Sequence, residues 1–431
     1  MIIAIFLLFA MLPFLPALAV DVIYIPVIRI LAPLLAAIWL IKGLIDKKVI
    51  LPFSLPAIYL VSFLVFSGFS ILWSENPLLG IRKLVLWISI FPLSAVFFSA
   101  ISQGDNKEKL IKGLSFSAAV LSIFAVIQFT FQFVINPEVI NVFLAEKITP
   151  LFVGMPTAEV IRSNSSWFVD IGGKTILRAV ANFPDPHTLA LFLGLAWPFV
   201  VSQAIFSNER KEKATYAIFS AAITAAIIFT FSRGAYLALL ISAVSLTIFA
   251  RAAIAASSKK TKILTFIVAV LALMVVGPLA GPRLASSFDT SEGSNYARLL
   301  IWQGAFDVFE QHLLFGVGLG NYALTQDEFV SSRSPINAHN TYLEIASELG
   351  LFGLLLWTSI FISSFFILLK KQDPQNNKYI YPAIAAMIFY LAHGLFETNI
   401  YSPQGLVLLT FILSLVMWLH VKQKETRFFN T

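Results

Sequence analysis

The stretch SPINAHNTYLEIASELGLFGLLLW (residues 334–357) is divided in character. Its second half is as apolar as a bilayer-crossing helix. Its first half sets His339, Asn340, Glu344 and Glu348 at the mouth of that helix. A helix needs about 20 mostly apolar residues to cross the hydrocarbon core, and ionisable groups inside it are expensive. The stretch therefore predicts a membrane-spanning fold, with work for these side chains at one membrane edge.

The whole chain agrees with the first expectation. Of its 431 residues 58% are hydrophobic and only 12% charged, with mean hydropathy +0.85. Soluble domains average roughly 45–50% apolar and about 25% charged. Twelve segments are long and apolar enough to read as spans: 2–19, 22–41, 52–73, 85–101, 113–135, 187–206, 214–231, 234–255, 263–281, 341–369, 379–399 and 404–420. The pattern predicts an all-α, polytopic integral membrane protein of about 12 transmembrane helices, forming a single membrane domain over 1–431. The first segment ends in small residues like a cleavage site but lacks a basic n-region, so it is expected to stay as a helix. The chain has no cysteine, which excludes disulfides and thiolate metal sites.

The net charge of +7 reads as topology rather than as a nucleic-acid footprint. With the N-terminus in the cytoplasm, the inside segments carry nineteen basic residues: Lys42, Lys47, Lys48, Lys107, Lys109, Lys112, Arg210, Lys211, Lys213, Arg251, Lys259, Lys260, Lys262, Lys370, Lys371, Lys378, Lys422, Lys424 and Arg427. The outside segments carry ten: Arg82, Lys83, Lys147, Arg162, Lys174, Arg178, Arg233, Arg283, Arg298 and Arg333. The short inside loops are the denser in positive charge, which predicts that both termini are cytoplasmic. Two loops are long, 136–186 and 281–340, and both fall outside. Long loops carry function disproportionately, so the active face is expected to be extracytoplasmic.

In the second long loop, Leu299, Trp302, Phe306, Phe309 and Leu313 recur at helical spacing, and Arg298 borders that apolar stripe. The helix is expected on the membrane surface or over the bundle. The glycines that follow, Gly316, Gly318 and Gly320, lack the preceding strand and following lysine of a phosphate loop, and read as helix termination. Arg233 sits in a tight turn at an expected outer surface, where an arginine either snorkels to lipid phosphate or binds substrate. Asp185 and His187 lack a third partner for a metal and read as a helix start. If 338–357 is one helix, His339, Tyr342, Ala346, Gly350, Gly353 and Trp357 share a face, with Glu344 and Glu348 opposite. Asn337 or Asn340 could cap it. The intramembrane acids Glu344, Glu348 and Glu397 call for hydrogen-bond partners, an interfacial position or contact with sugar hydroxyls.

Four motifs, in order and on one expected side, carry a resemblance: AIYLVSFLVFSGFSILWSENPLLGIRK (57–83), FTFSRGAYLALL (229–240), NYARLLIWQGAFDVFEQHLLFGVGLGNY (295–322) and AHNTYLEIASELGLFGLLLW (338–357). The chain resembles the superfamily of O-antigen ligases and O-antigen polymerases, bacterial membrane glycosyltransferases, over about residues 55–420. The segment ANFPDPHTLALFL (181–193) also fits, except that an asparagine is more usual in that family where His187 stands here. The resemblance implies metal- and cofactor-independent transfer at the outer face of the bacterial inner membrane. The donor would be an undecaprenyl-diphosphate-linked glycan, and the acceptor a sugar hydroxyl on lipid A–core or on another glycan. Arg233 and Arg298 would bind the diphosphate, and His339 would activate or position the acceptor hydroxyl. Arg178, His187, Trp302, Asn340 and Tyr342 are expected to contact substrate. Membrane lipids are the other expected partners, and no nucleic acid is. The rival from another class is a transporter or lipid flippase, marked by repeats and by discontinuous helices with ionisable groups near the midplane; no repeat is seen.

Overall fold

The computed structural model describes residues 1–20, 23–154, 167–171, 173–256, 293–325, 337–370 and 374–428. The expected span at 263–281, together with Arg162, Arg283 and Arg333, lies outside them. The protein is mostly helical. Among the described residues nine helices are long and apolar enough to cross a membrane, and each matches one of the twelve expected spans. Of the other three, 263–281 is outside the described residues. The segment 2–19 stops early: the helix Ile2–Met11 gives way to a 3-10 turn holding Pro13, then to a hairpin pairing Ala17–Val20 with Ile23–Pro26. The segment 379–399 becomes the helix Asn377–His393, shorter than expected at its C-terminal end.

The chain forms two compact units. One comprises Met1–Leu31, Gly104–Phe288 and Asp373–Tyr390; the other comprises Ala32–Gln103, Asp289–Gln372 and Leu391–Thr431.

In the first unit the helices Asn106–Phe131, Pro186–Phe206 and Arg210–Phe229 pack mutually. Phe129 and Phe229 stack with ring centroids 4.1 Å apart. Gly194 lets the Phe389 ring approach so closely that a Cβ there would lie 1.9 Å from it. A second hairpin, Phe168–Ile171 with Lys174–Leu177, has no further strand beside it among the described residues. Two buried glutamines take the place of that strand. Gln132 accepts from the Leu177 amide (2.8 Å) and donates to its carbonyl (3.0 Å), while Gln128 accepts from Val180 (2.9 Å) and donates to the Arg178 carbonyl (3.1 Å). Buried backbone groups must be paired, and these four bonds fix the segment that carries Arg178.

In the second unit Phe63 of the helix Leu55–Phe69 meets both Trp87 (5.2 Å) and Trp357 (5.1 Å). Asn76 caps the helix Pro77–Ile90, accepting from the Leu78 amide. The long helix Thr341–Lys370 is broken at Gly350, where φ is +64°. A helical bond would join Ser347 to Leu351 and Glu348 to Phe352. Instead the Ser347 and Glu348 carbonyls accept from the amides of Val317 (3.0 Å) and Gly318 (2.9 Å). The Leu351 and Phe352 amides donate to the Leu313 and Leu314 carbonyls, at 2.8 and 3.3 Å. Irregular backbone at membrane depth survives only when other protein groups satisfy it, as here. Close approach explains the glycines: a Cβ on Gly316 would sit 2.3 Å from Glu348 backbone, and one on Gly350 2.4 Å from Leu314 backbone. The glycine run does end a helix, Gly293–Gln311, and its conformational freedom is spent on helix packing.

Candidate functional site

The single helical face expected from 338 to 357 does not form. The helix starts at Thr341, with Asn340 capping it by accepting from the amides of Tyr342 (2.9 Å) and Leu343 (3.1 Å). His339 stands outside the helix in the left-handed region, φ +46°. A non-glycine residue held there is strained by an amount on the order of 1–3 kcal/mol, so its surroundings must fix it. They do so from a second segment. Thr341 N–H donates to the Gly394 carbonyl (2.7 Å), Thr341 Oγ1 to the Glu397 carbonyl (2.8 Å) and Asn340 Nδ2 to the Leu395 carbonyl (3.0 Å). The Asn399 amide donates back to Thr341 Oγ1 at 3.0 Å.

This stitching sets Glu397 between two expected site residues. Its Oε1 accepts from Arg298 Nη2 at 2.5 Å, and its Oε2 lies 3.1 Å from His339 Nδ1. A carboxylate only accepts, so Nδ1 carries the hydrogen, and in the neutral ring Nε2 is the nitrogen with the lone pair. The Glu397 side chain is 11% exposed, whereas Arg298 and His339 are 26% and 38% exposed. Among the described residues neither His339 Nε2 nor the remaining guanidinium N–H groups of Arg298 have a protein partner. Trp302, one turn beyond Arg298, packs on Phe396 at 6.3 Å, and its buried indole N–H has no partner among the described residues. Tyr342 and Asn340 are engaged by the protein: the Tyr342 hydroxyl donates to the Leu391 carbonyl at 2.9 Å. The inward side of the arginine helix centres on Ala305 and Val308, while Leu299, Phe306 and Leu313 of the expected stripe are nearly half exposed.

The other two acids serve a different cation. Lys83, expected in a loop, lies on the helix Pro77–Ile90 and reaches Glu344 Oε1 (2.9 Å) and Glu348 Oε1 (2.5 Å). Tyr401 donates its hydroxyl to Glu344 at 3.1 Å, with the Lys83 ammonium 4.3 Å from its ring centre. Enclosure by protein, with the two carboxylates nearby, raises the Tyr401 phenol well above its ordinary range, so it stays a donor. Burial raises Tyr322 likewise, and its hydroxyl donates to the Ile301 carbonyl at 3.0 Å. Among the described residues no three histidine or acidic side chains gather as a metal site.

In the first unit, Asp185 caps the helix Pro186–Phe206, accepting from the His187 and Thr188 amides at 2.8 Å, which bears out the helix-start reading. Arg178, 4% exposed, donates from Nε to the Thr230 carbonyl at 2.6 Å and from Nη2 to His187 Nε2 at 3.4 Å. His187 Nδ1 then donates to Ser232 Oγ at 2.9 Å. Ser232 Oγ also takes the Ala235 amide at 3.4 Å, which makes it the cap of the helix whose first residue is Arg233.

Comparison with known proteins addresses the stretch that holds Arg233, Arg298 and His339. Residues 217–358 match the O-antigen ligase family. The match includes three of the four motifs, and the superfamily resemblance read from them is borne out. The chain is also similar to the exopolysaccharide production protein ExoQ of Rhizobium meliloti (strain 1021), at 22% identity over 385 residues, covering 85% of this chain and 78% of that protein. The apolar helices describe a multi-pass membrane protein, similar over these stretches to O-antigen ligases and to an exopolysaccharide production protein.

Glu397 lies outside residues 217–358, and sequence reasoning left it without a partner. An acid in an apolar stretch was the only signal, and it did not say which cation it meets. Lys83 was missed for the same reason: its two carboxylates lie 261 and 265 residues further along the chain.

Proposed function

We propose that the protein is a metal-independent glycosyltransferase at the extracytoplasmic face of the bacterial inner membrane, with both termini cytoplasmic. It transfers a glycan from an undecaprenyl-diphosphate donor to a sugar hydroxyl of an acceptor. The observation that supports this reading is the line Arg298–Glu397–His339, whose two partly exposed ends keep a cationic fork and an imidazole nitrogen for a ligand. Arginine donates parallel hydrogen bonds to phosphate oxygens, and preorganised charge stabilises a leaving diphosphate. The acceptor hydroxyl gives its proton to His339 Nε2 as its oxygen bonds to the anomeric carbon. The bond from that carbon to the diphosphate breaks, and undecaprenyl diphosphate leaves. Glu397 holds the imidazole and balances its charge after proton transfer. A single displacement inverts the anomeric centre. A diphosphate-binding role for Arg233 rests on the family resemblance alone, and the Trp302 N–H, without a partner among the described residues, supports a substrate contact for Trp302.

Lipid A–core is the acceptor in the ligase form of this proposal. The name of the Rhizobium relative favours a second form, in which the acceptor is a growing exopolysaccharide and the reaction is polymerisation. The broken helix at Gly350 is a feature that favours a transporter, yet the four backbone groups freed there are consumed by residues 313–318. The test is purified protein in vesicles with a defined undecaprenyl-diphosphate oligosaccharide and each acceptor in turn, with EDTA present. Transfer to one acceptor with an inverted anomeric centre is expected. Retention would exclude the single displacement, and movement of the donor across the bilayer without transfer would exclude the enzyme.

A further inference from the structure

The glutamates opposite His339 are poor partners for its ring, yet one of them reaches its backbone. Glu344 Oε2 accepts the amide of Ala338 at 2.6 Å, the residue just before the left-handed histidine. Its other oxygen is tied by Lys83 and Tyr401, and the side chain is 1% exposed. Lys83 is itself anchored: Trp87, one turn further along the same helix, stacks on Tyr401 at 6.4 Å and donates to the Ile400 carbonyl at 2.9 Å. A buried ion cluster of this kind is weak as a source of stability, since apolar replacements of equal volume often do as well. Its geometry gives it another use. From the Asn340 cap onward the histidine's segment is stitched to residues 394–399. On the N-terminal side, among the described residues, Glu344 is the group that holds it.

We propose that Glu344, braced by Lys83, is a positioning residue that fixes the backbone entering His339 and so aims Nε2 at the acceptor hydroxyl. The inference rests on the base role given above to His339. Glutamine at 344 keeps the volume, but its amide cannot both accept from Ala338 and face the Lys83 ammonium with an oxygen.

Glu344→Gln is therefore expected to lower kcat on the order of 10- to 100-fold, the size of effect that a misplaced catalytic group produces. KM for the lipid-linked donor and the amount of folded protein should stay near wild type. In a His339→Gln background the same change should cost nothing further, because its effect runs through the histidine. A wild-type kcat per folded molecule in Glu344→Gln, or an equal loss in both backgrounds, overturns the inference. If His339→Gln is itself fully active, the base reading fails and takes this one with it. If His339→Gln is inactive and Glu344→Gln is normal, this inference alone fails. A second measurement needs no variant. The dipeptide Asn–Ala occurs once in the chain, at 337–338, so carbonyl-13C asparagine with 15N alanine labels a single amide. In wild-type protein that proton should resonate far downfield and exchange slowly. An ordinary shift with fast exchange would show that no carboxylate holds it, and the proposal would fall.

Discussion

Each of the two units holds an arginine, a histidine and a third side chain in one hydrogen-bonded line, and the third side chain and its place in the line differ. Around His339 it is a carboxylate, Glu397, which orients one ring nitrogen and leaves the other, like the Arg298 fork, facing outward. Around His187 it is a hydroxyl, Ser232, and the arginine is turned inward onto a main-chain carbonyl. In the second cluster Arg178 donates to His187 Nε2, so that nitrogen is already an acceptor in use. The same residue types thus make a candidate for proton transfer in one place and a clamp on a turn in the other. The difference lies in what neutralises the charge and in which atoms remain for a ligand.

The sharpest way to break that comparison is to remove each histidine. His339→Ala should lose activity on the order of 100- to 10,000-fold, the range for a lost general base, with normal expression and membrane insertion. His187→Ala should keep most of its activity per folded molecule. Initial rates in proteoliposomes, normalised to folded protein, decide it, and equal losses would erase the distinction. A smaller effect is expected at the carboxylate. Glu397→Gln can still accept from Nδ1 but cannot balance an imidazolium, so kcat should drop on the order of 100-fold or more; wild-type kcat would remove the acid from the mechanism. The smallest change belongs to the clamp. Arg178→Lys leaves the buried Thr230 carbonyl poorly met, a penalty of about 1–3 kcal/mol. It should appear as a lower unfolding temperature in detergent with near-normal activity below it.

Much of the membrane architecture was legible because bilayer crossing writes a long apolar run for each helix. Nine expected spans have counterparts for that reason. The departures have local causes. Pro13 and a hairpin shorten the first segment, and Gly350 breaks a helix whose apolar pattern runs on without interruption. The two hairpins were not read, since each strand has only four residues, too few for a period-2 pattern to stand out beside apolar helices. At the candidate site Arg298 and His339 were legible through their motifs. Glu397 and Lys83 were not, because a salt bridge between distant residues leaves no spacing to read. The helical face assigned to His339 failed because periodicity cannot see that the Asn340 cap starts the helix three residues later, at Thr341.

The exchange of four backbone bonds around Gly350 also constrains length. Each amide of residues 317–318 meets a fixed carbonyl on the broken helix, and each carbonyl of residues 313–314 a fixed amide. Adding or deleting one residue between those pairs would shift one set against the other and leave polar groups stranded in hydrocarbon. Substitutions that respect the glycines can accumulate in this segment, whereas a change in its residue count cannot, so size variation is pushed to either side of it.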